Sequence, residues 1–394
     1  MSGGGPIEPS RRPRGVGAPP VERHMRARRA SGRPTPTFAL LGGLVLVLNL
    51  VGLVMVLSAS SVESQDQFGH PWYYVTRQSV WAAAGFIVLL FVQRIDYHRY
   101  RRWAGLGLVG SIGMLVAVLV PGLGVQANGS TRWLGYGPLQ IQPSELAKLA
   151  VLLFCADLLA RRAHLIERSD ATLRPVLVVL TVVSALIMLQ PNLGTTMVIG
   201  AIVVALLYVA GVPRRRLALL GASAVSLVTV AAWFAPYRKA RLLAYLDPYA
   251  DPLGNGYQTI QAWAAISEGH LTGVGVGAGR AKWGFLPFAH TDFIFAVVGE
   301  EFGLVGAALL LAVFAALALA GVHTARGAPD MLGTLLAAGI TCWFFVQAFV
   351  NVGAVVGILP ITGVPLPFVS AGGSSLLASM AAAGVLLNVA RQAR

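Results

Sequence analysis

Between Gly284 and Glu301 the chain reads GFLPFAHTDFIFAVVGEE, an apolar run that carries His290, Asp292, Glu300 and Glu301. An ionised carboxylate in a lipid-facing segment costs several kcal/mol, so such residues face a protein interior or a wet cavity. Asp292 stands where the next apolar helix begins, and two roles suit that place. It can cap the helix by accepting a hydrogen bond from an early backbone N–H, or it can belong to a site. Glu300 lies eight residues on, about 12 Å along a helix and turned by about 80°, and Glu301 points nearly opposite. Neither forms a paired-carboxylate site with Asp292. Their expected task is to lock neighbouring helices or to line a cavity.

Two further stretches bring charge into apolar surroundings. In RWLGYGPLQIQPSELAKL, Pro143 suits the first turn of a helix and puts Glu145 and Lys148 three apart on one face. That spacing makes an intrahelical ion pair worth a few tenths of a kcal/mol. Alternatively Lys148 offers positive charge to an anionic group, and Arg132 with Trp133 could do the same near the membrane interface. Trp133 is otherwise an interfacial anchor. In GNGYQTIQAWAAISEGHLTGVGVGAGRAKWGFLP, Gly273, Gly275, Gly277 and Gly279 precede Arg280 and Lys282. A glycine-rich loop with basic residues could cradle phosphate through its N–H groups, although no P-loop or dinucleotide fingerprint is present. No His, Cys or carboxylate cluster has zinc-ligand spacing.

The elements that must position these residues are membrane helices. The 394 residues are 56% hydrophobic and only 12% charged, whereas soluble domains carry about 25% charged residues. Apolar runs predict ten spans, near 37–58, 78–93, 103–120, 143–160, 175–190, 194–212, 217–235, 293–321, 331–350 and 371–389. The net charge of +14 follows the positive-inside rule rather than a nucleic-acid footprint. Alternating ten spans puts 22 of the 30 Lys and Arg on one side, so both termini are expected in the cytoplasm. Residues 1–36, rich in Gly, Pro and Arg, are expected to be a disordered basic tail, and 37–394 a polytopic membrane domain. The two cysteines, Cys155 and Cys342, lie in apolar runs and read as packing residues. Three segments fall on the outer side: 128–149, the long loop 236–291 between spans seven and eight, and 351–375. The last is apolar yet broken by Pro360, Pro365 and Pro367. Such backbone is tolerated at membrane depth only where protein or a cavity covers it. A site on the outer face is the consequence.

LSASS, RWLGYGPLQIQPSELAKL, QPNLGTT, GNGYQTIQA, AHTDFIFAVVGEEFGLVG and LPFVSAGGSS occur in the order seen in SEDS proteins, the FtsW and RodA group. The resemblance runs from about residue 40 to the end. It implies an all-α fold of ten transmembrane helices and peptidoglycan glycosyltransferase activity on lipid II. It also implies a class B penicillin-binding protein and the divisome proteins as partners. The family's essential Asp corresponds to Asp292, its Glu and Lys at the start of span four to Glu145 and Lys148, and its Trp in the preceding loop to Trp133. The matching motifs also put Gln258, His290, Ser370, Ser374 and Ser375 among candidate substrate contacts, beside Arg132, Arg280 and Lys282. Two departures bear on local contacts: Phe288 replaces a charged or polar residue, and Ala371 replaces the Tyr of the family's SYGGSS. The HTDFIFAVVGEE form and the long tail are more similar to the division member FtsW than to the elongation member RodA.

The chemistry so implied joins the 4-hydroxyl of an acceptor GlcNAc to the anomeric carbon of a donor MurNAc and expels undecaprenyl pyrophosphate. A poor hydroxyl nucleophile gains from a carboxylate base, for which Asp292 is the candidate. The pyrophosphate is already a weak base and needs only positive charge, from Lys148, Arg132, Arg280, Lys282 or a divalent cation such as Mg or Mn. A single displacement inverts the anomeric centre. The expected location is the bacterial inner membrane, at the division septum, with the site facing outward. An elongation-type polymerase, a lipid II flippase and a non-catalytic scaffold are the competing readings.

Overall fold

The computed structural model describes residues 35–127, 130–137, 139–163, 169–234 and 236–393. The predicted tail, apart from its last two residues, lies outside them. Helices occur at all ten apolar runs: α1 (Pro36–Phe68), α2 (Tyr73–Val92), α3 (Tyr100–Leu119), α4 (Pro143–Arg161), α5 (Ser169–Leu189), α6 (Leu193–Val209) and α7 (Arg214–Phe234) precede the long loop. The loop itself holds α8 (Pro236–Leu246) and α9 (Tyr257–Glu268), and α10 (Ile294–Gly327), α11 (Met331–Val355) and α12 (Gly373–Gln392) follow it. Among the described residues seven helices are long and apolar enough to cross a membrane, and α6 is a shorter apolar helix.

Helix starts follow from capping chemistry. The Thr35 side chain accepts from Phe38 N–H with Pro36 in the first turn, Asn192 accepts from Thr195 N–H, and Asp330 accepts from Gly333 N–H at 2.7 Å. Each satisfies an orphan donor of a first turn. The centre of the molecule is α11 and α12, which pack against α10, α6, α4, α2 and one another. The apolar stretch of α12 is 83% buried, that of α2 only 17%. α2, α3 and α5 therefore present their apolar faces outward, as lipid-facing helices do.

The all-α expectation needs one correction. A three-stranded antiparallel sheet, β1 (Gly124–Ala127), β2 (Ser130–Tyr136) and β3 (Leu139–Ile141), links α3 to α4. Val125 pairs with Trp133 and Leu134 with Ile141. Its strands are short and flanked by glycines, so no period of two stands out in the sequence. The sheet places Arg132 and Trp133 over the start of α4.

The helix α10 is interrupted. Gly303 has φ 67° and ψ −166°, and the segment following α9 fills the gap. Val274 and Gly275 N–H donate to the carbonyls of Glu300 and Glu301, while Leu304 and Val305 N–H donate to those of His270 and Leu271. The break thereby exchanges four helical partners for four loop partners, which keeps those backbone groups paired. A Cβ on Gly273 would lie 2.1 Å from the Glu301 oxygen, which explains the glycine there.

Candidate active site

A cavity of about 580 Å³ opens among the ends of α1 and α2, the sheet, the segment before α10 and the loop before α12. Asp292, His290, Arg132, Trp133, Gln258, Ser374 and Ser375 line it, as do Phe288 and Ala371. Seven of the sequence-derived candidates thus converge from four separate stretches of chain. The lining adds residues that the sequence analysis did not single out, chiefly Glu63, Tyr74, Arg77 and Arg241.

Asp292 is not a helix cap. The residue at the cap position is Phe293, with no side-chain cap bond, and none of the hydrogen bonds of the described residues involves the Asp292 carboxylate. What is held is its backbone. The Asn351 amide donates 2.8 Å bonds to the Asp292 and Val364 carbonyls, the Ser370 hydroxyl donates to the Thr291 carbonyl at 2.6 Å, and Ala371 N–H donates to the His290 carbonyl at 3.0 Å. Three consecutive carbonyls are pinned while the carboxylate is left for the cavity. The enclosure of the site pushes the Asp292 carboxyl above the usual carboxylate range, against the pull of Arg241, Arg132 and His290. That shift suits a proton acceptor, whose efficiency rises as its pKa approaches the working pH.

Positive charge faces the carboxylate from two sides. Arg132 on β2 is braced by the carbonyls of Gln190 at 3.0 Å and Pro191 at 2.6 Å, and Arg241 on α8 reaches the Ile361 carbonyl at 3.4 Å. His290 lies 3.2 Å from Glu63, and its ring meets that of Tyr74 with centroids 4.7 Å apart. Glu63 escaped the sequence analysis because span one was ended at Ser58, where polarity begins. The helix in fact runs ten residues further, since SVESQDQF contains no helix breaker.

The other candidates lie elsewhere. Glu145 and Lys148 are 1% exposed and sit away from the cavity wall, 2.8 Å apart, with Lys148 also donating to Gln347 at 2.8 Å and lying over Trp343. Ser370 stands behind the wall as a fastener. Arg280 is exposed and 3.9 Å from Glu268, and Lys282 donates to the Gly277 carbonyl. The N–H groups of Arg280 and Ala281 do receive an anion, as a glycine-rich loop can, but it is the Glu300 carboxylate, at 2.5 and 3.3 Å. Glu301 accepts from Ser58 of α1 at 2.5 Å. Both glutamates are locks, and neither lines the cavity.

Comparison with known proteins gives the family. The cell cycle protein family of FtsW, RodA and SpoVE matches residues 38–394. Stage V sporulation protein E of Bacillus subtilis is 40% identical over 89% of this chain and 96% of its own length. The probable peptidoglycan glycosyltransferase FtsW of Mycobacterium tuberculosis is 42% identical over 91% of this chain and 69% of its own. Among solved structures, a chain of a peptidoglycan synthase complex that coordinates polymerization and crosslinking superposes with a TM-score of 0.72 at 34% identity. It is matched over 89% of this chain and 96% of that one. Rod shape determining protein RodA of Thermus thermophilus gives 0.65 at 29%, over 89% and 95%. The match is continuous across every element that builds the cavity, so the chain belongs to the FtsW/RodA/SpoVE family, the SEDS proteins.

Proposed function

We propose that this protein is a peptidoglycan glycosyltransferase that polymerises lipid II, with Asp292 as general base. The observation that carries the reading is a carboxylate with a pinned backbone and no hydrogen-bond donor, facing a wide cavity beside two arginines. As the 4-hydroxyl oxygen of the acceptor bonds to the anomeric carbon of the donor, its proton passes to Asp292. The bond from that carbon to the pyrophosphate breaks, and the electron pair leaves with the lipid pyrophosphate. Arg132 and Arg241 lie where they can offset the leaving charge in a partly enclosed site. A Mg or Mn ion at the pyrophosphate would find Asp292 and Glu63 in the cavity. Among the described residues no group of three ligating side chains gathers, so such an ion would be held in part by the pyrophosphate and would offset its charge.

Ten crossings with both termini in the cytoplasm are part of the same proposal, supported by the 22-to-8 split of basic residues. So is a septal role with a class B penicillin-binding protein, supported by relatives named FtsW and by the synthase-complex neighbour. A cysteine placed at Gly254 is expected to react with an impermeant thiol reagent from outside the cell, and one at Arg215 is not. The reverse labelling would put the site in the wrong compartment. For the activity, polymer formed from purified lipid II in detergent, with and without the partner, is the measurement. Detergent abolishes transport, so a flippase forms no polymer there. Asp292→Asn should fold and melt no lower than the wild type, because Asn occupies the volume of Asp. It should lose roughly 10²–10⁴-fold in rate, the typical worth of a general base. Wild-type polymerisation by the folded variant would refute the assignment.

A further inference from the structure

The charge pair Glu145–Lys148 is buried away from the cavity, yet two buried amides of α11 and the segment 364–365 lie between it and the backbone of Asp292. Trp343, Gln347 and Asn351 succeed one another at four-residue intervals and therefore share one face of α11. Gln347, fully buried, accepts from Lys148 Nζ at 2.8 Å and from Trp343 Nε1 at 2.6 Å, and donates to the Pro365 carbonyl at 2.8 Å. One turn further, Asn351 is 2% exposed and spends both of its N–H groups on the Val364 and Asp292 carbonyls. Its own oxygen, buried, has no hydrogen-bond partner among the described residues. An unpaired buried acceptor costs about 1–3 kcal/mol, so a residue kept in that state serves something besides stability.

We propose that Gln347 and Asn351 are positioning residues, which carry the hold of the Glu145–Lys148 pair across α11 to the segment 364–365 and to the backbone of Asp292. On this account Lys148 acts without touching substrate. It fixes the Gln347 oxygen, which turns the Gln347 N–H toward Pro365. The neighbouring carbonyl, Val364, is held by the same Asn351 amide that holds Asp292. Gly363 lies beside the carboxylate, since a Cβ built there would sit 3.5 Å from Asp292 Oδ2. The carboxylate thus rests on a loop whose position the buried amides set. The proposal depends on Asp292 being the base.

The test is steady-state lipid II polymerisation by the full-length protein with its partner, over a range of pH, together with thermal melts. The variants are Asn351→Leu, Gln347→Met, Lys148→Met and the Lys148→Met/Gln347→Met pair, with Asp292→Asn as reference. A small displacement of a base costs up to about 10²-fold, so Asn351→Leu and Gln347→Met should lose about 10- to 100-fold in kcat. KM for lipid II should hold within about threefold, because binding contacts are untouched. The acid limb of the Asn351→Leu profile should move toward the usual carboxylate range as the site loosens. The double variant should lose little more than the worse single one, as residues acting in one chain are not additive. A folded Asn351→Leu with wild-type kcat and an unmoved acid limb would overturn the proposal while an inactive Asp292→Asn left the base intact. Additive losses, or a raised KM at unchanged kcat, would overturn it too. An active Asp292→Asn would instead remove the reading beneath it. If Asn351→Leu does not fold, Asn351→Ser, which keeps one donor, is held to the same outcomes with a smaller loss expected.

Discussion

Asp292 and Glu300 are carboxylates eight residues apart in one apolar stretch, and their surroundings are opposite. Glu300 is 1% exposed and takes hydrogen bonds from the amides of Arg280 and Ala281, in a nest whose glycine, Gly279, leaves room for it. Asp292 takes none, although the carbonyls around it are held by three donors. In Glu300 the side chain is fixed and does structural work. In Asp292 the backbone is fixed and the side chain is left for a reactant. A spent charge and an available charge of the same type are told apart by where the hydrogen bonds end.

The sharpest way to break this comparison is to move the free carboxylate. Asp292→Glu keeps the charge but shifts it by one methylene. If attack geometry is what the pinned backbone protects, polymerisation should fall by about 10²-fold with folding unchanged. An unimpaired Asp292→Glu would mean that the pinning is incidental.

The converse change is expected to leave catalysis and strike stability. Glu300→Gln replaces one acceptor oxygen by a donor facing the amides of Arg280 and Ala281. A lost charged hydrogen bond with a stranded buried partner costs about 1–3 kcal/mol. The melting temperature should drop, while the rate per folded molecule should stay within about twofold, since the loop is away from the cavity. A rate loss exceeding the loss of folded protein would merge the two carboxylates into one site.

The smallest effect concerns pH. The Asp292 carboxyl titrates above its unfolded value, so ionising it costs stability at any pH above that of the unfolded chain. Asp292→Asn removes the cost. The variant should melt slightly higher than the wild type at neutral pH, and the gap should close as pH falls below about 4, the unfolded value. A variant less stable at neutral pH would mean that the ionised carboxylate is structurally paired, as Glu300 is.

Much of this was legible in the residues because one physical rule governs each part. Long apolar runs located the helices, and α10, expected from 293, begins at Ile294. Carboxylates in apolar surroundings marked Asp292, Glu300 and Glu301. The amides of α11 were equally visible in principle, as polar residues repeating every four positions along an apolar helix, but they carry no charge to draw notice. Glu63 and Arg241 were hidden for another reason. Each reaches the cavity from helical residues beyond the apolar runs, Glu63 from the polar end of α1 and Arg241 from α8, and only tertiary packing brings it there. The anion nest was foreseen as a type of site, but its occupant was not, because the Glu300 side chain meets it from twenty positions along the chain.

The interruption at Gly303 also sets where α10 becomes a membrane anchor. As an unbroken rod its 34 residues would measure about 51 Å, well beyond the hydrocarbon thickness of about 30 Å. The break divides that length. Residues 304–327, free of Asp and Glu, extend about 36 Å, enough to cross with a modest tilt. The short piece before Gly303, which holds both glutamates, is left to the protein's own interior. An insertion machinery that partitions each segment by hydrophobicity therefore meets an apolar stop whose His323 and Arg326 lie only in its last turns, and the acidic half-helix can be withdrawn from lipid at no cost in topology. A Gly303→Ala variant, whose Cβ would meet the Gly273 nitrogen and the Leu271 oxygen, would press the two pieces toward one continuous helix, too long for its bilayer.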